Sequence, residues 1–174
     1  MSNEPPRVIS AVRTHLEMRD IAALRAAAKP ALDVSLQQEA VSPGQYRDLY
    51  RAVGDEWHWR DRLLIPDDEL AAYFASPSVQ VWVLRVGGTV AGYFELLRHA
   101  DDRVEIVYFG LIPAYFGKGL GGWMLTRAIE QAFAIQASHV TLHTCTLDSP
   151  RALPNYLARG FTISREEEYE VELR

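Results

Sequence analysis

The sequence has little that suits a secreted, membrane-spanning or nucleic-acid-binding protein. It contains one cysteine, Cys145, in 174 residues, so no disulfide can form within the chain. No apolar run approaches the ~20 residues of a membrane span, and the first residues lack the basic and apolar regions of a signal peptide. The formal net charge of −5 does not provide the basic surface that nucleic acid requires. We therefore expect a cytoplasmic protein that binds neither membranes nor nucleic acid.

The composition is that of one globular domain. Hydrophobic residues make up 48% of the chain and charged residues 24%, which is ordinary for a folded protein. A chain of this length is sufficient for one good-sized core, and a second full domain is not expected. We find no internal repeat, low-complexity tract or long linker, and expect a single domain over residues 1–174.

The first half of the chain predicts one strand and three helices. Apolar and polar residues alternate over 7–18, which predicts an opening strand. The segment "IAALRAAA" at 21–28 predicts a helix, and the polar residues after it predict no element. Helix start signals, each with a proline in or before the first turn, precede two further helices at 42–53 and 66–76.

The second half predicts strands first and then alternating helices and strands. Segments 79–86, 89–99 and 104–112 are separated by short turns, so we expect three antiparallel strands. The remaining elements are predicted in this order: a helix at 121–136, a strand at 139–146, a helix that begins in "SPRALPNYLARGF" and ends at Gly160, and a terminal strand at 166–173. A strand, a glycine loop, a helix and a strand in succession predict a parallel βαβ unit. The fold class is therefore α/β (α+β), with a mixed, mostly antiparallel sheet flanked by helices.

The segment "YFGKGLGGWML" contains four glycines just before the long helix: Gly117, Gly119, Gly121 and Gly122. Each glycine in a helix costs about 1 kcal/mol relative to alanine, so we expect a compensating function. Glycines allow backbone N–H groups to approach a phosphate, and the helix N-terminus favours an anion. The alternative is a flexible turn followed by close helix packing. The position of the loop after a strand favours phosphate binding.

Two familiar phosphate loops do not match this segment. A nucleotide P-loop requires Ser or Thr after its lysine, whereas Lys118 is followed by Gly119. A dinucleotide fingerprint requires an acidic residue about twenty positions later, at the end of the next strand, and that strand is "HVTLHTC".

Two segments together resemble the GCN5-related N-acetyltransferase (GNAT) family. "LIPAYFGKGLGGWML" is similar to the acetyl-CoA-binding motif Gln/Arg-x-x-Gly-x-Gly/Ala, whose defining positions are occupied here by Phe116, Gly119 and Gly121. "SPRALPNYLARGF" is similar to the later Asn-x-x-Ala-x-x-x-Tyr-x-x-x-Gly-Phe segment through Ala152, Tyr156, Gly160 and Phe161. The chain departs from these patterns in three places: Phe116 replaces Gln or Arg, Ser149 stands where Asn is common, and Pro154 lies inside the helix.

The resemblance implies a GNAT-like acyl-CoA N-acyltransferase fold, acetyl-CoA as co-substrate and no metal. It implies that backbone groups of Leu111 and Ile112 pair with the pantetheine arm, and that the glycine loop holds the pyrophosphate. The cofactor-binding residues expected on this basis are Leu111, Ile112, Gly117, Lys118, Gly119, Leu120, Gly121, Gly122 and Ser149.

Transfer to an amine requires a base and an acid, because a primary amine is protonated at neutral pH and the leaving thiolate needs a proton. The resemblance implies Glu105 as the base, acting directly or through water, and Tyr156 as the acid. Glu95 is the reserve base. The alternatives are that Glu105 is a solvated residue near a turn and that Tyr156 is a packing aromatic.

The acceptor is predicted to be an amine of a small molecule or peptide. Trp57 and Trp59 are candidate walls for a cationic amine, with Glu95 as a further contact, although the tryptophans alternatively pack helices onto the sheet. His139 and His143 are too far apart on a strand to share a metal. The rival interpretation is a CoA-binding sensor or regulatory module without activity. A homodimer is compatible with the resemblance, since family members are often dimeric.

Overall fold

The strands form one seven-stranded sheet with the order β2-β3-β4-β5-β6-β1-β7. A computed structural model describes residues 7–173. Its elements are β1 (Arg7–Met18), β2 (Val34–Gln38), α1 (Pro43–Gly54), α2 (Asp67–Ala75), β3 (Val79–Val86), β4 (Thr89–Arg98), β5 (Val104–Leu111), α3 (Leu120–Ala134), β6 (Val140–Cys145), α4 (Ala152–Arg159) and β7 (Thr162–Leu173).

Neighbouring strands of the sheet are antiparallel except for β5 and β6, which are parallel. That parallel pairing is short, because it joins only residues 104–105 to residues 140–141. β5 then diverges from β6, so from Ile106 onward the edge of β5 that faces β6 has no strand partner among residues 7–173. In β5, Val107 is an extra residue between two partners of β4, and such a bulge bends the strand. The mixed sheet and the βαβ unit are as predicted.

The two faces of the sheet are covered by different helices. α3 and α4 pack on the face that we call the back, where the buried residues are mainly aliphatic. α1 and α2 pack on the other face, the front, where Tyr46, Tyr50 and Tyr93 are buried with three valines. The alternation of side chains along β3 and β4 divides these strands between the two clusters.

One predicted helix and one predicted loop are wrong. Residues 21–28 contain only a short 3-10 turn, Ile21–Ala23. The Arg25 backbone N–H donates to the Arg159 carbonyl at 2.9 Å, and that of Ala27 donates to Thr126 Oγ1 at 3.0 Å. Two N–H groups of the segment are therefore satisfied on α3 and α4 and not within a helix. Residues 34–38, for which we predicted no element, form β2 and pair with β3.

The other predicted elements are confirmed, and the start of α1 shows why. Ser42 Oγ accepts the Gln45 backbone N–H at 3.2 Å, and Gln45 Oε1 accepts the Ser42 backbone N–H at 3.0 Å. This capping box satisfies two N–H groups at the N-terminus of the helix. Among the helices of residues 7–173, none has the length and apolar character needed to cross a membrane.

Candidate functional site

The divergence of β5 from β6 leaves a cavity of about 550 Å³. Its wall includes residues 106–111 of β5, together with His143 and Cys145 of β6. Tyr50 and Val53 contribute from the front face, whereas Leu120 and Tyr156 contribute from the back. The cavity therefore extends through the gap in the sheet, and a ligand in it is accessible to groups from both faces.

The first two glycines of the loop have a backbone conformation that favours glycine. Gly117 has a φ of 74° and Gly119 a φ of 76°, in the left-handed region. A Cβ atom would meet nothing within 4 Å at Gly117 and only Pro30 Cγ, at 4.0 Å, at Gly119. Gly119 is the N-cap of α3, so open space adjoins the unpaired N–H groups of this helix. Both glycines line the cavity, and the arrangement suits an anion.

The second two glycines are explained largely by packing. Asn155 Nδ2 donates to the Gly121 carbonyl at 3.2 Å, which joins α4 to the first turn of α3. A Cβ atom at Gly122 would lie 2.6 Å from Arg159 Nη1, so the glycine makes room for this guanidinium. Gly121 lines the cavity and Gly122 is not among the lining residues. The cradle and the packing explanations of the loop therefore each apply to part of it.

Of the remaining predicted cofactor residues, some line the cavity and others do not. Leu120 and Ser149 line the cavity, whereas Lys118 is exposed and outside the lining. The Ile112 backbone N–H donates to the Ala91 carbonyl at 2.8 Å, so it is not available for a pantetheine amide. Backbone groups alternate in direction along a strand, so those of Leu111 face the gap. Of the two residues that were predicted to pair with the pantetheine arm, Leu111 is the one that lines the cavity.

Tyr156, the predicted acid, lies in the wall of the cavity. Its side chain is buried on α4, with its ring edge-to-face against Phe109 and Phe161. Burial raises the pKa of the Tyr156 phenol well above its usual value, and the nearby charge of Asp148 adds to the effect. The phenol therefore keeps its proton throughout the physiological pH range.

Glu105, the predicted base, lies at the closed end of the gap. It pairs with Thr141 in the short parallel ladder, and it is not among the residues that line the cavity. His99 Nε2 contacts its Oε1 at 3.0 Å, and Arg103 Nη1 lies 3.6 Å from the same atom. The charge of Glu105 reaches His143, which does line the cavity. The surrounding protein lowers the pKa of the His143 ring, chiefly because it excludes water, and Glu105 opposes this shift.

Glu95, the reserve base, is sealed beneath the front helices. Its side chain is 0% exposed, and Arg62 Nη2 contacts its two oxygens at 2.9 and 3.0 Å. The Tyr46 hydroxyl donates to Oε2 at 3.2 Å. Burial raises the pKa of the Glu95 carboxyl, and Arg62 and the tyrosines oppose this. Glu95 does not line the cavity, so the structure does not bring it to the predicted acceptor site.

Trp57 and Trp59 both line the cavity, on its front side. The Trp59 ring lies 5.4 Å from that of Tyr50 and 4.9 Å from that of Tyr108, and its plane packs on Gly54. Its indole N–H donates to Asp148 Oδ1 at 3.4 Å. Trp59 therefore packs α1 onto the sheet, as the alternative had it, and also lines the cavity.

Asp148 is a lining residue that the sequence analysis missed. Its Oδ2 accepts the Thr144 hydroxyl at 2.7 Å and the Cys145 backbone N–H at 3.0 Å, which fixes the carboxylate after β6. The only sequence signal was its position, next to Ser149 and just past the end of a strand. Arg13, Tyr108 and Tyr169 were missed as well, and they reach the cavity from three different strands.

The donor set of the cavity fits an acyl-CoA. Among residues 7–173 no group of three His, Cys, Asp or Glu side chains is arranged to hold a metal. An open cradle at a helix N-terminus and an unpaired strand edge fit a diphosphate and an amide-containing arm respectively. These are the two features by which the structure fits acetyl-CoA.

Comparisons with known proteins agree with this geometry. Mycothiol acetyltransferase from Corynebacterium efficiens is 28% identical over 120 residues, which cover 66% of this chain and 40% of that protein. The enzyme of the same name from Corynebacterium aurimucosum is 35% identical over 81 residues, 45% of this chain and 26% of that protein. The match thus spans less than half the length of either relative.

A solved structure shares the fold at low sequence identity. The GCN5-related N-acetyltransferase from Kribbella flavida superposes with a TM-score of 0.65 and 17% identity, over 94% of this chain and 58% of that one. The family model described as "Acetyltransferase (GNAT) family" matches residues 46–161, which is more than half of the chain and includes the whole glycine loop and Tyr156. The chain belongs to the acetyltransferase (GNAT) family.

Proposed function

We propose that this protein transfers an acetyl group from acetyl-CoA to an amine of a small molecule or peptide, in the cavity between β5 and β6. The observation that carries the proposal is the gap itself, which brings the cradle at Gly119, the free edge at Leu111 and the Tyr156 phenol to one cavity. The cytoplasm, where a lone cysteine is normal, is the proposed location.

The chain's own groups would hold acetyl-CoA by backbone contacts. Gly117 and Gly119 offer open space beside the N-terminus of α3 for the diphosphate. Leu111 offers its backbone amide and carbonyl to the pantetheine arm, and Ser149 lines the same cavity. When bound, acetyl-CoA supplies an acyl thioester that is open to attack by an amine.

Tyr156 is the proposed proton donor. Transfer forms a C–N bond and breaks a C–S bond, and the departing sulfur needs a proton. A phenol whose pKa is raised by burial carries its proton at every physiological pH, so it can donate a hydrogen bond to the sulfur as negative charge develops there. We assign Tyr156 as the general acid on this position in the cavity wall and on its protonated state.

Glu105 is the proposed acceptor of the amine's proton, through water. Its carboxylate lies at the closed end of the gap and outside the lining, so direct contact with the amine is not part of the proposal. The neighbouring His143 ring faces the cavity and is neutral at neutral pH, since its pKa is lowered. Water beside the neutral His143 ring would carry the proton toward Glu105, whose negative charge stabilises it.

The acceptor is proposed to enter from the front, between Trp57, Trp59 and Asp148. Aromatic faces and a fixed carboxylate attract a cationic amine. The relatives carry the name mycothiol acetyltransferase. Because the match spans less than half of each, we do not extend their substrate to this chain.

The test begins with calorimetric titration of acetyl-CoA, followed by a screen of small amines, aminoglycosides and peptides for thiol release. For an acceptor found in this way, Tyr156→Phe and Glu105→Gln should each lower kcat by about 10² or more. Tyr115→Phe and Glu130→Gln, at positions outside the cavity lining, are the matched controls. Unchanged rates in both site variants would refute the assigned roles. Binding without thiol release from any acceptor would instead favour a CoA-binding module that does not catalyse.

A further inference from the structure

The glycine loop itself supplies little positive charge to the cavity. Phe116 opens it, and Lys118, its one basic residue, is exposed and not among the lining residues. A diphosphate carries two negative charges, and neutral backbone N–H groups offset them only in part. The loop as folded therefore lacks a charged partner for the ligand that its shape fits.

Arg151 lies beside the loop although it is 35 positions away from Phe116 in the sequence. It is the residue immediately before α4, and its Cζ lies 4.8 Å from the centroid of the Phe116 ring. This distance is within the range of a cation–π contact, which holds the guanidinium over the aromatic face. Arg151 and Phe116 both line the cavity. The aromatic ring thus positions a charge that the loop does not contain.

The guanidinium of Arg151 has donors to offer. No Asp or Glu of residues 7–171 lies within 4.0 Å of it. Arg13, which also lines the cavity, contacts Glu167 at 3.3 Å and stacks on Tyr169, on a different part of the wall. An arginine presents five N–H donors in a planar fork that matches phosphate oxygens. Arg60 also lines the cavity, but it lies between Trp59 and Asp61 in the segment that follows α1. Of the three lining arginines, Arg151 is the one placed over a residue of the glycine loop, Phe116.

We propose that Arg151, positioned by Phe116, binds the diphosphate of acetyl-CoA at the glycine loop. The inference rests on the proposed function, since it takes acetyl-CoA as the ligand. The positive charge that the loop sequence lacks would then come from the residue immediately before α4. The inference also gives Phe116 a function, which is to hold that charge in place.

Calorimetry with acetyl-CoA tests the assignment without any acceptor. Arg151→Ala should raise Kd about tenfold, because a charged hydrogen-bonding partner of a phosphate is lost. Arg98→Ala is the control for the loss of one positive charge, since Arg98 pairs with Asp102 outside the cavity lining, and it should change Kd less than twofold. Equal Kd values for the Arg151 and Arg98 variants would overturn the inference. Circular dichroism confirms that both variants are folded.

A second ligand identifies which phosphate is bound. With 3′-dephospho-CoA, the ratio of Kd between Arg151→Ala and the unmodified protein should stay near tenfold, because the diphosphate is still present. A ratio that falls to one would assign Arg151 to the 3′-phosphate and overturn the inference. The salt dependence of log Kd should also be smaller in Arg151→Ala than in the unmodified protein.

A double variant that moves the positive charge from position 151 to position 116 tests whether the two positions serve the same anion site. Phe116→Arg in the Arg151→Ala background places a guanidinium in the loop itself, next to the position that Arg151 occupied. It should recover most of the lost affinity, and a failure to recover any would count against a shared anion site. If the unmodified protein itself does not bind acetyl-CoA, the proposed function and this inference both fail. Normal binding by Arg151→Ala would remove this inference and leave the proposed function intact.

Discussion

The two faces of the sheet are held together by different chemistry. On the back face, aliphatic side chains such as Leu125 and Ile129 are buried between the sheet and α3. On the front face, tyrosines are buried instead, and beneath them lies the ion pair of Arg62 and Glu95. Burial of apolar area stabilises the back directly. The stability of the front depends also on the pairing of its buried charged groups. The cavity lies where these two regions meet.

Removal of Arg62 should have the largest effect on stability, because it disrupts the buried ion pair of the front region. The Arg62 side chain is 12% exposed and that of Glu95 0%, so Arg62→Met leaves a buried carboxylate without its counter-ion. We expect a loss of about 3–5 kcal/mol in the free energy of unfolding, measured by urea denaturation at pH 7. Arg85→Met, which breaks the more exposed pair with Glu39, should cost less than about 1 kcal/mol. Similar losses in both variants would contradict a special role for the buried pair.

The same variant should lose more stability as the pH rises. Burial already raises the pKa of Glu95, and without Arg62 it rises further, so the folded Arg62→Met variant binds a proton at Glu95 more tightly than the unfolded chain does. The proton-linked stability is fully present below the unfolded pKa and is lost as the pH rises through the folded pKa. The urea midpoint of Arg62→Met should therefore fall between pH 5 and pH 8 relative to that of the unmodified protein. A constant difference would show that Glu95 is not the group that responds.

Truncation of Leu125 should have the next largest effect and perturb the back region. Leu125 is fully buried on α3, and Leu125→Ala removes apolar contacts and leaves a cavity. We expect a loss of about 3 kcal/mol in the free energy of unfolding. Unlike the Arg62 loss, it should be the same at pH 5 and pH 8, since no titratable group changes its partner. A pH-dependent loss would mean that the two regions are coupled through the sheet.

A substitution at the boundary of the two regions should cost less. Gly119 has a φ of 76°, so Gly119→Ala puts a side chain in the left-handed region at a cost of about 1–2 kcal/mol. Gly44→Ala is the matched control, because it lies in the first turn of α1 with no atom within 4 Å of its Cβ position and should stabilise by up to ~1 kcal/mol. Urea denaturation of both variants measures the difference. A loss in both would show that the backbone conformation is not the cause.

The sequence was sufficient for elements whose signals are local. Ser42 and Gln45 mark the start of α1, and Gly87-Gly88 mark the hairpin turn, because the capping and turn interactions lie within a few residues. Residues 21–28 look helical, yet the N–H groups of Arg25 and Ala27 bond to Arg159 and Thr126, more than ninety positions away. β2 depends in the same way on β3. Segments whose hydrogen bonds are long-range cannot be assigned from their own composition.

The residues of the candidate site likewise differ in whether their signals are local or depend on distant parts of the chain. The glycine loop and Tyr156 were identified by their motifs, and both lie at the cavity. The length of the β5–β6 pairing is a property of the whole sheet, so the sequence did not indicate that the gap opens after Glu105. Asp148 and Arg151 lie in the segment between β6 and α4. Asp148 is fixed by Thr144 and Cys145, which are near it in the chain. Its contact with Trp59 and the contact of Arg151 with Phe116 join residues that are far apart in the chain.

The smallest effect is expected at Trp59, where the front region forms the wall of the cavity. Trp59→Phe keeps an aromatic ring beside Tyr50 and Tyr108 but removes the 3.4 Å hydrogen bond to Asp148. Since Asp148 Oδ2 keeps its two shorter bonds, the free energy of unfolding should fall by less than about 1 kcal/mol. Urea denaturation beside Arg62→Met measures the contrast. A loss as large as that of Arg62→Met would show that the indole–carboxylate contact is part of the buried front network. A small loss would show that the Trp59–Asp148 contact in the cavity wall is energetically independent of the buried Arg62–Glu95 network. Asp148 Oδ1 would then be held loosely enough to exchange its indole partner for an amine.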